Sequence, residues 1–398
     1  MIPSSLPVAS DTSDASDAPD VPATGNRTRR RWYWGIGLLL LTGLVLGAVF
    51  VPTPYVLIHP GAVRPAEERI VVEGTESFPN DASVLFTTVF VDEATLFGLL
   101  SGALDDAIEV RSSEEVYGDR GRDEMRRLNR REMDLSKLMA EREALRYLGY
   151  DASFAADGVR VVDVAEDVPA AEVLRPDDVI VSVDDEPVTL PEELRSELEA
   201  HAPGDSVTLG IRRSSLPAGE SASRGRDAVD SLSVGVELTA AEAEPRPGQD
   251  SPGDTDGETD ESVSRAALGV IVEPFNPRIE SEVNVKVDSG DVTGPSAGLA
   301  WALAIIDVLT PGSLTGDRDV AVTGEILADG SVGVIGGTAQ KTATVVRNDV
   351  DVFLFPAGTS EEDQAEMRRI AGDDTELVPV ASLAEAVEYL APDGIDVD

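Results

Sequence analysis

The 398-residue chain contains no cysteine. Disulfides, thiolate nucleophiles and cysteine-ligated zinc or iron–sulfur centres are therefore excluded. Only two histidines occur, His59 and His201, far apart and in unremarkable contexts. A Ser-His-Asp triad or a histidine-rich metal site would have to draw on one of them. Lysine is almost as scarce: Lys137, Lys286 and Lys341 stand among basic residues that are otherwise arginine, so a catalytic amine has very few candidates. Basic residues are outnumbered 75 to 32 by acidic ones, for a formal net charge of −43. That balance argues against nucleic acid as a partner, because phosphate neutralisation needs clustered Lys and Arg. The length suits two or three domains at about 100–200 residues each.

What the chain does have, near its start, is an uncharged and mostly apolar run over 32–51. Twenty helical residues rise about 30 Å, the thickness of a hydrocarbon core. Trp32, Tyr33 and Trp34 sit at one end, where amphipathic rings favour the membrane interface. Arg27, Arg29, Arg30 and Arg31 precede them and orient that end toward the cytoplasm, which places the rest of the chain outside. The rival is a cleaved signal peptide, whose apolar region is usually about 7–15 residues and ends at a small-x-small site. This run is longer and ends in Phe50-Val51-Pro52. Residues 1–31 are rich in Ser, Asp, Pro and Ala and read as a disordered cytoplasmic tail.

Residues 52–149 read as a membrane-proximal α+β segment. Tyr55–Ile58 and Arg69–Val72 are β-like runs divided by a turn at Pro60-Gly61, and Val84–Val91 is a third. Over 119–148, Met125, Leu128, Leu135, Leu138, Leu145 and Leu148 recur at helical spacing, which predicts an amphipathic helix solvated by i,i+4 charge pairs. Residues 150–239 read as a small β-rich module, with strands at Val159–Val164, Val179–Val183 and Val207–Ile211 and a helix at Pro191–Ala200. Its order, with Val168-Pro169-Ala170-Ala171, Pro176-Asp177-Asp178-Val179-Ile180 and Asp184-Asp185-Glu186-Pro187-Val188, resembles bacterial PDZ domains. Two departures from that pattern are Val173 and Asp177, each standing where those domains carry glycine. No nest of backbone amides for a peptide carboxylate is legible. A polar insertion over 214–231 follows, and an acidic, Pro- and Gly-rich linker over 240–262.

The last segment, 263–391, alternates strands and helices in an α+β pattern. Strands are expected at Leu268–Glu273, Val283–Val287 and Asp319–Val322, and a buried helix over Ser296–Leu309 is introduced by Gly294-Pro295. A serine just after that proline lies beside unpaired backbone N–H groups at the positive end of a helix, the setting an oxyanion site needs. Ordinarily such a serine is only a cap. Lys341, in Gln340-Lys341-Thr342 at the start of a further helix, has small apolar surroundings. Burial would depress its pKa and make it a general base for a hydroxyl. Its alternatives are a solvated helix lysine and a phosphate-loop lysine, and Gln340 in place of glycine disfavours the latter.

Gly294-Pro295-Ser296-Ala297-Gly298-Leu299, Thr323-Gly324-Glu325 and Ile335-Gly336-Gly337 with Lys341 match, in order, the proteolytic domain of Lon-type serine peptidases. The exported chain resembles membrane-anchored bacterial proteins that join a PDZ domain to a Lon proteolytic domain without an ATPase module. Tyr55-Val56-Leu57-Ile58-His59-Pro60-Gly61 and Met133-Asp134-Leu135-Ser136-Lys137 also resemble that group. The resemblance implies an α+β architecture: a transmembrane helix, a small β-rich PDZ-like domain, then a Lon-type domain of ribosomal-protein-like fold. It implies Ser296 as nucleophile, Lys341 as general base, Thr323 as a hydroxyl holding the lysine amine, and Gly294 and Ala297 near the oxyanion. An acid often precedes this Gly-Pro-Ser in ATP-dependent relatives; Thr293 stands here. The implied activity is an ATP-independent serine endopeptidase outside the cytoplasm. Its substrates would be unfolded or membrane-tethered proteins, and no metal or organic cofactor is implied. Lon-type domains often form rings, which leaves a homo-oligomer open. An inactive PDZ-containing scaffold or chaperone is the alternative.

Overall fold

The structure, a computed structural model, describes residues 25–78, 84–105, 107–118, 121–214, 229–242, 264–316 and 318–395. The expected tail up to residue 24, the polar insertion over 215–228 and the linker from 243 onward lie outside the described residues.

Helix α1 (Gly25–Phe50) leads into β1 (Pro52–Pro65), β2 (Ile70–Glu73) and β3 (Val84–Thr95). Next come the short α2 (Leu96–Gly102), β4 (Glu109–Ser112), α3 (Ser113–Tyr117) and the long α4 (Gly121–Tyr147). A β-rich stretch follows: β5 (Ser153–Ala155), β6 (Val159–Val164), β7 (Val179–Val183), β8 (Glu186–Pro187), α5 (Pro191–Glu199), β9 (Ser206–Ser214) and β10 (Val229–Glu237). After β11 (Thr239–Glu242) and β12 (Ser264–Ala267) come β13 (Val270–Pro274), β14 (Arg278–Glu280) and β15 (Asn284–Val287). The C-terminal part holds α6 (Gly298–Leu309), β16 (Val320–Val322), β17 (Glu325–Ile326), β18 (Val332–Gly333), α7 (Thr338–Arg347), β19 (Val352–Pro356), α8 (Glu361–Ala371), β20 (Glu376–Val380) and α9 (Leu383–Leu390).

One six-stranded sheet runs β20-β19-β16-β3-β1-β4, parallel from β20 to β3 and antiparallel beyond. The segment 52–149, expected as a unit of its own, thus contributes half of the sheet on which the C-terminal helices pack. A short strand such as Val320–Val322 cannot pair alone; β3 flanks it on one side and β19 on the other. Helix α6 is the core of this unit. All 12 of its residues are buried, and Trp301 meets Phe86 of β3 at a ring-centroid distance of 4.7 Å. A helix buried on every side, here including Asp307, has no solvent face, so it must be wrapped, and α4 covers one flank. The face α4 turns inward carries Met133, Ser136, Ala140 and Ala144. Small side chains four apart let the two helices approach closely. The amphipathic helix expected over 119–148 thus forms as α4; the Lys137–Asp134 pair lies off that face, while Glu143, paired with Arg142, is buried.

Two more expectations change. Pro60-Gly61 makes no turn: β1 runs through it, with a register shift against β3 between Pro60 and Val63. A bulge tolerates proline, which has no N–H to lose. Gly61 lets the strands close up, since a Cβ there would lie 2.3 Å from the Thr88 carbonyl oxygen. The strand expected at Leu268–Glu273 forms as β13, but it pairs with β6 at the edge of the second sheet, β10-β9-β7-β6-β13. It therefore completes the PDZ-like unit.

That unit buries Val159, Val161, Ile180, Leu194, Leu209 and Ile211. Its two sequence departures are both accommodated. Asp177 takes the left-handed φ of 71°, which Asp tolerates better than most residues, and Val173 has an ordinary φ of −124°. Buried Asp178 is held by Arg213 through two hydrogen bonds of 2.7 and 2.6 Å. At the other end of the chain, α1 begins at Gly25 rather than Trp32. Its stretch Trp32–Phe50 has a mean hydropathy of 2.0 and is long and apolar enough to cross a membrane.

Candidate active site

The loop entering α6 is a 3-10 turn, Pro295–Ala297, followed by the α-helix from Gly298. The single helix expected from Ser296 is thus divided just after Ala297. Gly294 caps the turn with φ 89°, and its N–H donates to the Asn129 carbonyl of α4 at 2.8 Å. Pro295 follows at the first position of the turn, where no N–H is needed. Its carbonyl accepts a 2.9 Å hydrogen bond from Ser136 Oγ. Helix α4 therefore grips the backbone on both residues preceding Ser296. The Ser296 carbonyl accepts from Gly324 N at 2.8 Å and from Thr323 Oγ1 at 3.1 Å, which ties the turn to the end of β16. Apart from the local Gly298 N–H bond to the Pro295 carbonyl, these backbone contacts come from elements distant in sequence.

The Ser296 side chain caps neither the turn nor α6, which disposes of the ordinary explanation for a serine here. Instead Lys341 Nζ lies 2.6 Å from Ser296 Oγ and 2.8 Å from Thr323 Oγ1. Lys341 stands in the first turn of α7, whose start is set by Gly336-Gly337. The helix is anchored to the sheet by Thr344 Oγ1, which accepts from Gly61 N at the β1 bulge at 3.0 Å. Lys341 is 2% exposed and Thr323 is 0% exposed. Burial pulls the lysine from its ordinary 10.5 down to about 7, since a low-dielectric interior penalises the ammonium form. The other two lysines are partnered differently: Lys137 pairs with Asp134 and Lys286 with Glu73, each at 2.8 Å. Of the five residues singled out in the sequence, Ser296, Lys341 and Thr323 share one hydrogen-bonded cluster. Gly294 and buried Ala297 frame the turn that carries the serine. The first amides of such a turn have no partner within it and are free to face a developing negative charge.

The clamp from α4 was not legible. Ser136 was visible only as part of a familiar string; the signal that could have found it is a small polar residue in register with Ala140 and Ala144 on a helix face. The histidines lie apart from the cluster. His59 Nε2 pairs with Asp92 at 2.9 Å, and His201 Nε2 lies 3.5 Å from Asp184.

Residues 263–391 match the model of the Lon protease (S16) C-terminal proteolytic domain. The chain carries a Lon-type serine peptidase domain. Residues 146–220 match a PDZ domain. Among curated proteins, the Lon protease of Rhizobium meliloti (strain 1021) is 31% identical over 137 residues, covering 32% of this chain and 17% of its own. The Lon protease of Trichlorobacter lovleyi is 35% identical over 111 residues, 27% of this chain and 13% of its own. The chain thus spans less than a fifth of the length of these relatives. Among solved structures, the PDZ domain of an SdrC-like protein from Listeria monocytogenes aligns at 20% identity over 29% of this chain and 87% of that one, with a TM-score of 0.19. The family match to the Lon-type domain starts directly after the expected linker and takes in β13, which the fold gives to the PDZ sheet. It leaves out β1 and β3, which the fold adds to the Lon-type sheet.

Proposed function

We propose that the protein is a membrane-anchored, ATP-independent endopeptidase in which Ser296 and Lys341 form the catalytic dyad. The observation that carries this reading is the 2.6 Å contact between Ser296 Oγ and the amine of a fully buried lysine. With its pKa near 7, that amine is substantially neutral at physiological pH and its lone pair can accept the serine proton. Oγ then attacks the scissile carbonyl carbon, and the carbonyl electron pair moves onto oxygen beside the Ser296 and Ala297 amides, since Gly294 N–H is held by Asn129 and Pro295 has none. Collapse of that intermediate expels the amine of the peptide, which takes the proton back from the Lys341 ammonium. Water, deprotonated by the same amine, hydrolyses the acyl-serine and restores the dyad. Thr323 is a positioning residue that holds Nζ on the serine side.

The anchor is α1, with its arginines on the cytoplasmic side and the Lon-type and PDZ domains outside. Substrates are unfolded or loosely tethered chains. The edge strand β13, which lies beside α5, suits addition of an extended peptide to the PDZ sheet. In the test, the purified full-length chain is incubated with an unfolded protein, beside Ser296→Ala and Lys341→Ala variants. Cleavage by the wild type, its loss in both variants and phosphonate labelling confined to Ser296 are expected. Absence of both cleavage and labelling in the wild type would leave a peptide-binding scaffold as the better description.

A further inference from the structure

Helix α2 is packed the opposite way round from a helix of a water-facing domain. Its glycines form the inner face: a Cβ on Gly98 would meet Leu57 Cδ1 at 2.7 Å, and one on Gly102 would meet Val110 Cγ2 at 2.8 Å. Its large apolar side chains face away from the protein. Leu96, Phe97 and Leu100 are 55%, 58% and 58% exposed, and Leu104 in the following turn is 80% exposed. Positions 96, 97, 100 and 104 fall on one stripe at helical spacing. Turned toward water, that stripe gains nothing from the hydrophobic effect.

Its position says what covers it. Thr95, the residue before α2, is paired with Pro52, and Pro52 stands two residues beyond the end of α1. Helix α2 also packs against α1, where Gly47 and Ala48 are half-buried while Leu46, Val49 and Phe50 stay exposed. The stripe therefore lies level with the last turn of the apolar helix, where the chain leaves the span. Any other occupant would have to share that layer with lipid. We propose that α2 and Leu104 are inserted in the outer boundary of the bilayer beside α1, a second and interfacial attachment of the Lon-type domain. This rests on the reading of α1 as a membrane anchor. Because α2 is continuous with β3, which also flanks β16, two attachments instead of one set the orientation of the catalytic sheet against the membrane.

The absence of cysteine makes the test direct. Leu100→Cys, Leu104→Cys, Leu40→Cys and Ile271→Cys are made one at a time in the full-length chain. Each is labelled with an environment-sensitive fluorophore and reconstituted in phosphatidylcholine–phosphatidylglycerol vesicles carrying lipids with a quencher at a shallow or a deep acyl position. Leu40 reports the anchor, and Ile271, 63% exposed on the PDZ sheet, reports the aqueous side. Labels at 100 and 104 should be quenched most by the shallow lipid, at a depth of about 5–10 Å below the headgroups. The label at 40 should be quenched by the deep lipid and the label at 271 by neither. Quenching at 40 without quenching at 100 and 104 overturns the docking and leaves the anchor standing. No quenching at 40, 100 or 104 removes the anchor, and the docking with it. Unquenched labels at 100 and 104, together with disulfide cross-linking between copies of the unlabelled Leu100→Cys and Leu104→Cys variants under an added oxidant, would assign the stripe to a second molecule of this chain and overturn the lipid assignment.

Discussion

If Lys341 is the base of the proposed dyad, its protonation governs both activity and stability, and the two can be measured against each other. Burial holds the lysine near 7 instead of 10.5. If its neutral form is the base, kcat/KM follows the neutral fraction: about 9% at pH 6 and about 91% at pH 8, a rise of about tenfold followed by a plateau. An ordinary lysine would give a rise of about a hundredfold over the same interval and no plateau below pH 10. A fluorogenic unfolded substrate followed from pH 5.5 to 9.5 at constant ionic strength separates these cases. For stability, the unfolded chain binds a proton at this site that the folded chain lacks between pH 7 and 10.5. Stability therefore rises with pH across that window by about 1.4 kcal/mol per pH unit, and the full penalty, on the order of 5 kcal/mol, applies below pH 7. Lys341→Met removes it and loses two hydrogen bonds worth about 1 kcal/mol each, so the variant should be more stable at pH 6.5 by about 3 kcal/mol. A unit slope continuing past pH 9, or a Lys341→Met variant less stable than wild type at pH 6.5, would refute the reasoning.

Other consequences concern the elements that hold the site. Ser136→Ala removes the hydrogen bond to the Pro295 carbonyl, so kcat should fall with KM little changed, at a stability cost of about 1 kcal/mol read by urea titration. Burial raises the Glu141 carboxyl to about 7, so it keeps a proton in the folded state that the unfolded chain releases between pH 4.5 and 7. Its contribution falls as pH rises through that window. Glu141→Gln should therefore gain about 2 kcal/mol at pH 8, after allowance for solvent screening, and nothing at pH 4.5, which paired denaturation curves would show. Asp178→Ala strands Arg213 in the PDZ-like unit and should cost about 3–5 kcal/mol in chemical unfolding. Gly61→Ala forces β1 off Thr88 and should lower the melting temperature by an amount equivalent to about 1–3 kcal/mol.

Much of the candidate site was readable because its residues sit in short strings. Gly294-Pro295-Ser296 and Gly336-Gly337 with Lys341 carry their own backbone requirements, and a rare lysine in a cysteine-free chain narrows the choice of base. The strands of the PDZ-like unit were legible for a similar reason, since Val159–Val164 and Val179–Val183 are local β patterns. Which strands share a sheet was not. Strand pairing is a long-range property, and nothing in Val84–Val91 says that it will lie beside Val320–Val322. Likewise Val270–Pro274 reads as a strand without disclosing that its partner is β6. Pro60-Gly61 misled because the same two residues suit a turn and a bulge, and only the approach of Thr88 selects the bulge.

The amino-acid sequence alone determined the exclusion of thiol chemistry, the apolar span, the PDZ-like order of strands and helix, and the candidacy of Ser296 and Lys341. These depend on composition and on patterns a few residues long. Tertiary structure decided that the lysine amine reaches the serine at 2.6 Å across 45 positions of chain, and that α4 secures the turn carrying the serine. It also decided that the glycine face of α2 turns inward beside the end of α1. Each of these is a distance between elements remote in sequence, and such a distance is set by the packing of α6 against the sheet and α4. That packing also removes water from Lys341 and so tunes its pKa.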